Sequence, residues 1–316
     1  MNLAPSEIEP FKSWPGIKRY LANEAEWQKL HRNNQRKILE RYVASGNVLF
    51  VSPETGKEET VERPFKFYLG SPLSMTAKSG VITGTSLAAT GRDPQDLLAS
   101  AVLYQELASL RGFLVESEFP AKFGRKLGMF SISDAGWLGV AASVGAVEVV
   151  SRWAPLLVAA TREGYLHAAN FRGMQHWLLR LWCRAHDLDY PDTSYPRYDI
   201  AERVLEMWNT QDTDALGAWL VQLCNLHTRL SISKQFNDFA NSFSHFPVEV
   251  LLLLRLREQA GIVNPEVDHP IMKFPWSRLW PVKPAEPDEL LFGIYRRLEA
   301  DEGITVSGLY QQLLLV

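Results

Sequence analysis

Apolar residues recur at helical spacing along most of the chain, and the cleanest instance lies between Phe171 and His186. There Met174, Trp177, Leu178, Leu181, Trp182 and Ala185 follow the i, i+3, i+4, i+7, i+8, i+11 pattern of one continuous apolar face. The pattern repeats around Ile200, Val204, Leu205 and Trp208, around Leu216, Leu220, Leu223 and Leu230, and around Leu290, Leu291, Ile294 and Leu298. Asp93-Pro94 predicts a helix start: a carboxylate caps the first turn, and a missing N–H is no loss at the first helical position. Leu103, Leu107, Leu110 and Leu114 then line one face. Trp137–Val144 and Val147–Thr161 read as two helices broken near Gly145. Pro247–Gln259 reads as a short, strongly apolar helix ending at Gly261, and an N-terminal helix containing Leu39 and Tyr42 stops at Gly46.

Two β-type runs, Asn47–Ser52 and Thr60–Leu69, flank a polar turn and predict a hairpin, with Pro64 confining the second strand to an edge or a bulge. Residues 70–92 are rich in Gly, Ser and Thr and carry no assignable period. About eight to ten helices with short connections predict an all-α fold, a multi-helix array or bundle with a small N-terminal β-hairpin. No repeat period holds along the chain. Residues 1–92 would form the helix-plus-hairpin segment and 93–316 the α-helical domain, either as a division near position 92 or as one continuous domain.

Composition excludes little. The 316 residues are 46% hydrophobic and 22% charged, which argues against disorder, and a net charge of −3 gives no basic domain of the kind a nucleic-acid binder shows. Neither a secretory leader nor an apolar run of membrane-spanning length occurs, so a soluble, cytoplasmic protein without nucleic-acid or membrane partners is expected. Cys183 and Cys224 both fall in apolar helical runs and are expected to be buried thiols.

Known catalytic and phosphate-binding spacings are missing. The seven histidines form no HxxxH or HExxH pair, Gly84-Thr85-Ser86-Leu87 lacks the second glycine of a nucleophile elbow, and no glycine-rich phosphate loop occurs. No catalytic residue, metal, cofactor or small-molecule ligand is expected. Arg172, His176, Arg180 and Arg184 recur every four residues, on the side expected to lie opposite the apolar face of their helix. Such a stripe serves a phosphate or acidic partner, or a solvated face that pairs with nearby carboxylates. From Asp187 to Trp219 eight carboxylates face two arginines, a local charge of −6. Within it Asp199, Glu202 and Glu206 share one helix face, and Asp212 and Asp214 begin the next helix. These five are the candidate interface for a basic protein. As surface groups, Glu202 and Glu206 should accept lysine with little effect on folding.

The stretch from Ala201 to Ile271 carries a helix Leu216–Leu230 with a Leu226-His227 pair, then a polar link Ser233–Asp238 with Phe236 and Phe239. Phe246-Pro247-Val248-Glu249-Val250 and four leucines follow, leading into Gln259-Ala260-Gly261-Ile262. This order resembles the C-terminal part of helical immunity proteins from bacterial polymorphic-toxin systems, the family of immunity protein forty-nine. The helix Ala99–Gly112 resembles its first half more loosely. The resemblance implies a stoichiometric inhibitor that binds one cognate toxin domain and needs no catalytic residue. Two other readings stay open, a helical interaction scaffold or adaptor and an enzyme whose site is dispersed in sequence.

Overall fold

The computed structural model describes residues 17–51, 58–60, 64–118, 134–164, 173–192, 194–231, 239 and 243–314, and the fold is all-α. Among those residues lie twelve α-helices. They are α1 (Ile17–Ser45), α2 (Pro64–Phe67), α3 (Gly70–Ala89), α4 (Gln95–Glu118), α5 (Ala135–Ser143), α6 (Val147–Arg162), α7 (Gly173–Ala185), α8 (Asp199–Glu206), α9 (Thr213–Leu230), α10 (Val248–Gln259), α11 (Glu289–Glu302) and α12 (Val306–Leu314). A 3-10 turn, Pro270–Lys273, lies in the long connection before α11. Three residues, Leu49–Val51, face Glu58–Thr60 in antiparallel register.

Several boundaries follow their local chemistry. Asp93 accepts the Gln95 N–H at 3.0 Å and caps α4, while Gly145, at a φ of +80°, makes the left-handed turn that separates α5 from α6. The strand expected over Thr60–Leu69 is corrected: Pro64–Phe67 is helical, because proline's fixed φ suits a first helical position better than a ladder. Residues 70–89, without a clear period, form the long helix α3. Its small residues allow α3 and α4 to lie in the most extensive helix–helix contact of the fold. The three-to-four-residue period is absent from α3 because small residues, polar and apolar alike, are buried along it.

The centre of the fold is α10, buried from Val248 to Arg257 and packed on α5, α7 and α9. Two buried arginines project from it. Arg255 donates from Nε to the Ala142 carbonyl at the end of α5 (2.9 Å) and also reaches Trp280 O. Arg257 donates to the carbonyls of Trp208 (2.6 Å), Thr210 (3.0 Å) and Val263.

The C-terminal part returns to the N-terminal helices. Gln95 donates to Val144 O and Pro281 O, both at 2.8 Å, and the Arg297 guanidinium meets the carbonyls of Val43 and Ala44 at the end of α1. There a cation favourably faces the negative end of the helix dipole. Buried Glu106 accepts two bonds from Arg152 (2.6 and 2.7 Å) and one from the Tyr310 hydroxyl (2.6 Å), which joins α4, α6 and α12. One hydrophobic cluster contains residues from Leu39 to Leu313, on both sides of position 92. No helix among the described residues is long and apolar enough to cross a membrane.

Helix α5 meets α10 through Gly139, where an added Cβ would lie 2.2 Å from the Val248 carbonyl oxygen. Gly139→Ala must therefore part the two helices against a packed core. Its expected cost is about 2 kcal/mol or more, read as a lowered urea midpoint with an unchanged slope.

Candidate functional site

His176, His227, His245 and His269 are buried. His227 on α9 places Nδ1 2.9 and 3.0 Å from the two carboxylate oxygens of Glu249 on α10, and Nε2 3.0 Å from Phe243 O. Both ring nitrogens face oxygen, so a proton sits between His227 and Glu249 whichever of the two owns it. The ring also stacks on Phe239 with centroids 4.2 Å apart. His269 differs: Nδ1 accepts the Ile271 N–H, which leaves Nε2–H to donate to Asn225 Oδ1 at 3.1 Å. Burial and the neighbouring His227 push its pKa down to about 4, so it is held neutral. Glu249 is four residues from His245 but turns to His227, while the His245 carbonyl accepts Trp276 Nε1–H at 2.7 Å.

The basic stripe expected on α7 is corrected at His176. That side chain is fully buried, with Nδ1 2.6 Å from the Tyr190 hydroxyl and its ring stacked 4.3 Å from Tyr195. Hydrophobic spacing missed this because Tyr190 and Tyr195 follow the helix in sequence and fold back over its polar side. Arg172 lies outside the described residues. Cys183 and Cys224 are free and buried; burial pushes the Cys183 thiol up to about 11 and Cys224 well above the ordinary thiol value. Neither is a poised nucleophile.

What remains of the two charge stripes meets in one groove between α7 and α8, with a volume of about 340 Å³. Arg180 forms a bidentate pair with Glu202, Nη2 to Oε2 at 2.8 Å, with both side chains about three-quarters buried or more. The basic and acidic stripes are thus partly each other's partners. Arg184, Asp189 and Glu206 stand around this pair, and Leu188 borders it at 52% exposure.

Leu188 is held there by the way α7 ends. Its N–H bonds to Cys183 O at 2.9 Å, the Asp187 N–H approaches Arg184 O at 3.5 Å, and Asp187 takes a left-handed φ of +54°. This is the Schellman ending, in which glycine normally occupies the left-handed position. Asp187 is the one described residue other than glycine with positive φ. It also sets a carboxylate at the negative end of a helix, so backbone strain and electrostatics both disfavour it.

The five expected interface residues separate into two groups. Asp199, Glu206, Asp212 and Asp214 are exposed at α8 and at the start of the adjoining α9, where Asp212 caps α9 by accepting the Ala215 N–H at 2.9 Å. Glu206 adds only a surface pair with Arg203, at 3.0 Å. Glu202 is the exception, since it is committed to Arg180. The expectation that lysine at 202 leaves folding little changed is therefore corrected. Asp187 and Leu188 join the site from structure; the signal in the sequence is a helix that ends at an aspartate with no glycine. Among the described residues, no three His, Cys, Asp or Glu side chains are arranged to hold a metal ion.

No family model, curated protein or solved structure matches the chain.

Two measurements check this geometry. Glu202→Lys should cost about 2 kcal/mol by leaving Arg180 half-desolvated beside a second cation, whereas Glu206→Lys should stay within about 0.5 kcal/mol in the same urea titration. The second concerns His269. Its folded pKa lies below its unfolded value, so the unfolded chain binds more protons between about pH 4 and 6.5. Its contribution is present above that window and is lost as pH falls through it. The stability advantage of wild type over His269→Gln should thus grow by up to about 3 kcal/mol from pH 4 to 6.5; a pH-independent difference would show an imidazole that titrates normally.

Proposed function

We propose that this chain is a protein-binding inhibitor of the immunity class that its Ala201–Ile271 segment resembles, and that the α7–α8 groove is the face that docks a cationic toxin domain. The observation that carries the reading is Asp187. A residue disfavoured by both its backbone conformation and its helix-end position is kept where it turns Leu188 outward between carboxylates. A left-handed position filled by a residue other than glycine is a pointer to use. The surface sets a half-exposed aliphatic side chain, Leu188, among exposed carboxylates at Asp187, Asp189, Asp199 and Glu206. A toxin whose substrate is anionic presents a basic cleft, and the carboxylates would steer it in. The short ladder of Leu49–Val51 against Glu58–Thr60 we read as a small N-terminal hairpin that takes no part in this surface.

The partner is to be sought as the product of the reading frame next to this one, by co-expression and by isolation of a complex of one copy to one. Asp187→Gly separates stability from binding. Glycine relieves the left-handed strain and should stabilise the fold by about 1 kcal/mol, while removal of the charge should slow association with the toxin. Leu188→Asp should speed dissociation about tenfold or more, equivalent to about 1.4 kcal/mol. Rescue of toxin-expressing cells that survives Leu188→Asp combined with Glu206→Lys would remove the groove from the interface. A neighbouring product that neither kills nor binds would remove the immunity reading itself.

A further inference from the structure

A second, smaller cavity of about 60 Å³ lies where α1, α3 and α4 meet the start of α11. Beside it α3 and α4 pack closely: an added Cβ at Gly80 would stand 2.7 Å from the Ala101 Cβ. The lining is mostly apolar, with Met75, Leu97 and Ala101 beside a few polar groups. Ser100 on α4 is 6% exposed, and its hydroxyl has no hydrogen-bond partner. Buried hydroxyls are normally paired, so an unpaired one bordering a cavity calls for a partner within it.

Opposite charges border the same cavity from two sides. Asp288, which caps α11, uses Oδ1 for both the Leu291 N–H and the Tyr104 hydroxyl, each at 2.8 Å. Its other carboxylate oxygen has no described partner. Arg36 on α1 uses Nε on Glu40 at 2.9 Å, and its two terminal nitrogens have no partner among the described residues. Arg36 and Asp288 are not paired with each other.

We infer that this cavity binds a small α-amino acid, with the ligand's carboxylate on Arg36, its ammonium on Asp288 and a hydrogen bond to Ser100. Size narrows the class. A water needs roughly 10–15 Å³ on this measure, so the space takes about four to six non-hydrogen atoms, which suits glycine or alanine and leaves serine one atom beyond the range. A guanidinium offers a carboxylate two parallel N–H donors, and a carboxylate is the ordinary acceptor for an ammonium group. The sequence leads to the expectation of no small-molecule ligand, because the groups involved come from positions 36, 100 and 288 and share no motif. The site is apart from the α7–α8 groove and stands or falls independently of the toxin reading.

Isothermal titration of the whole protein tests it, with glycine, alanine and serine set against propionate and ethylamine, which each lack one of the two charges. The expected result is saturable binding of at least one amino acid and none of the single-charge analogues, with a thermal shift of a few degrees at saturation. Arg36→Gln and Asp288→Asn should each weaken binding tenfold or more. Asparagine keeps the cap of α11, and Arg36 is partly exposed, so both variants should retain the wild-type circular dichroism spectrum. Ser100→Ala, which removes only the hydroxyl, should weaken binding by a smaller factor. Absence of binding by all three amino acids, equal binding of the single-charge analogues, or unchanged affinity in the folded charge variants would each overturn the proposal and leave a cavity that holds water only.

Discussion

Two guanidinium groups on α10 hold the backbone of four other segments, and the fold depends on the bonds that they make there. Arg255 and Arg257 are buried, and burial lowers the pKa of each from the ordinary arginine value. Their donors go to the end of α5, the turn after α8, the exit of α10 and the chain near Trp280. Helix ends carry carbonyls without intrahelical partners, and in a core those groups need another donor. The rigid fork of arginine supplies several donors from one position, where lysine would supply one compact charge. Replacing Arg257 by an apolar residue would take the guanidinium donor from three carbonyls at once, and replacing Arg255 from two.

Much of the helical framework is legible in the sequence. Trp177, Leu178 and Leu181 are buried as their spacing requires, and the breaks at Gly46, Gly145 and Gly261 fall where glycine takes a positive φ. The less visible parts have a common cause. Spacing reveals a helix only when its apolar positions stand apart from the polar ones, and along α3 small residues of both kinds are buried. On α3 the residues that mimic loop composition are those that permit close approach, such as Gly80 and Gly84.

The candidate site was half legible. The local excess of carboxylates between Asp187 and Trp219 marks an exposed acidic surface, since an exposed charged face needs nothing beyond solvent to be stable. It does not mark which of them is free. Glu202 and Glu206 occupy nearly the same face of α8, yet one is bound by Arg180, 22 positions earlier, and the other extends into water. His176 shows the converse: at polar spacing on α7, it is covered by two tyrosines that arrive from the following loop. A one-dimensional pattern carries the preference of each residue for water. It does not carry the identity of the partner that overrides it.

The return of the C-terminal helices to the N-terminal ones has a consequence for how the protein is made. The bonds that close the fold join positions 254, 204 and 186 residues apart, at Arg297 with Val43, Tyr310 with Glu106 and Gln95 with Pro281. Helical proteins fold fast when their contacts are local, and separations of this size raise contact order towards that of slower topologies. Translation proceeds at about 5–20 residues per second, so the Glu106 carboxylate waits roughly 10–40 s for the Tyr310 hydroxyl. During that interval the middle of α4 lacks the cover that α12 provides, although its ion-pair partner Arg152 has already been synthesised. The nascent chain thus presents an apolar, partly assembled helical layer for most of its synthesis, and it is this intermediate, more than the finished fold, that a chaperone would need to protect.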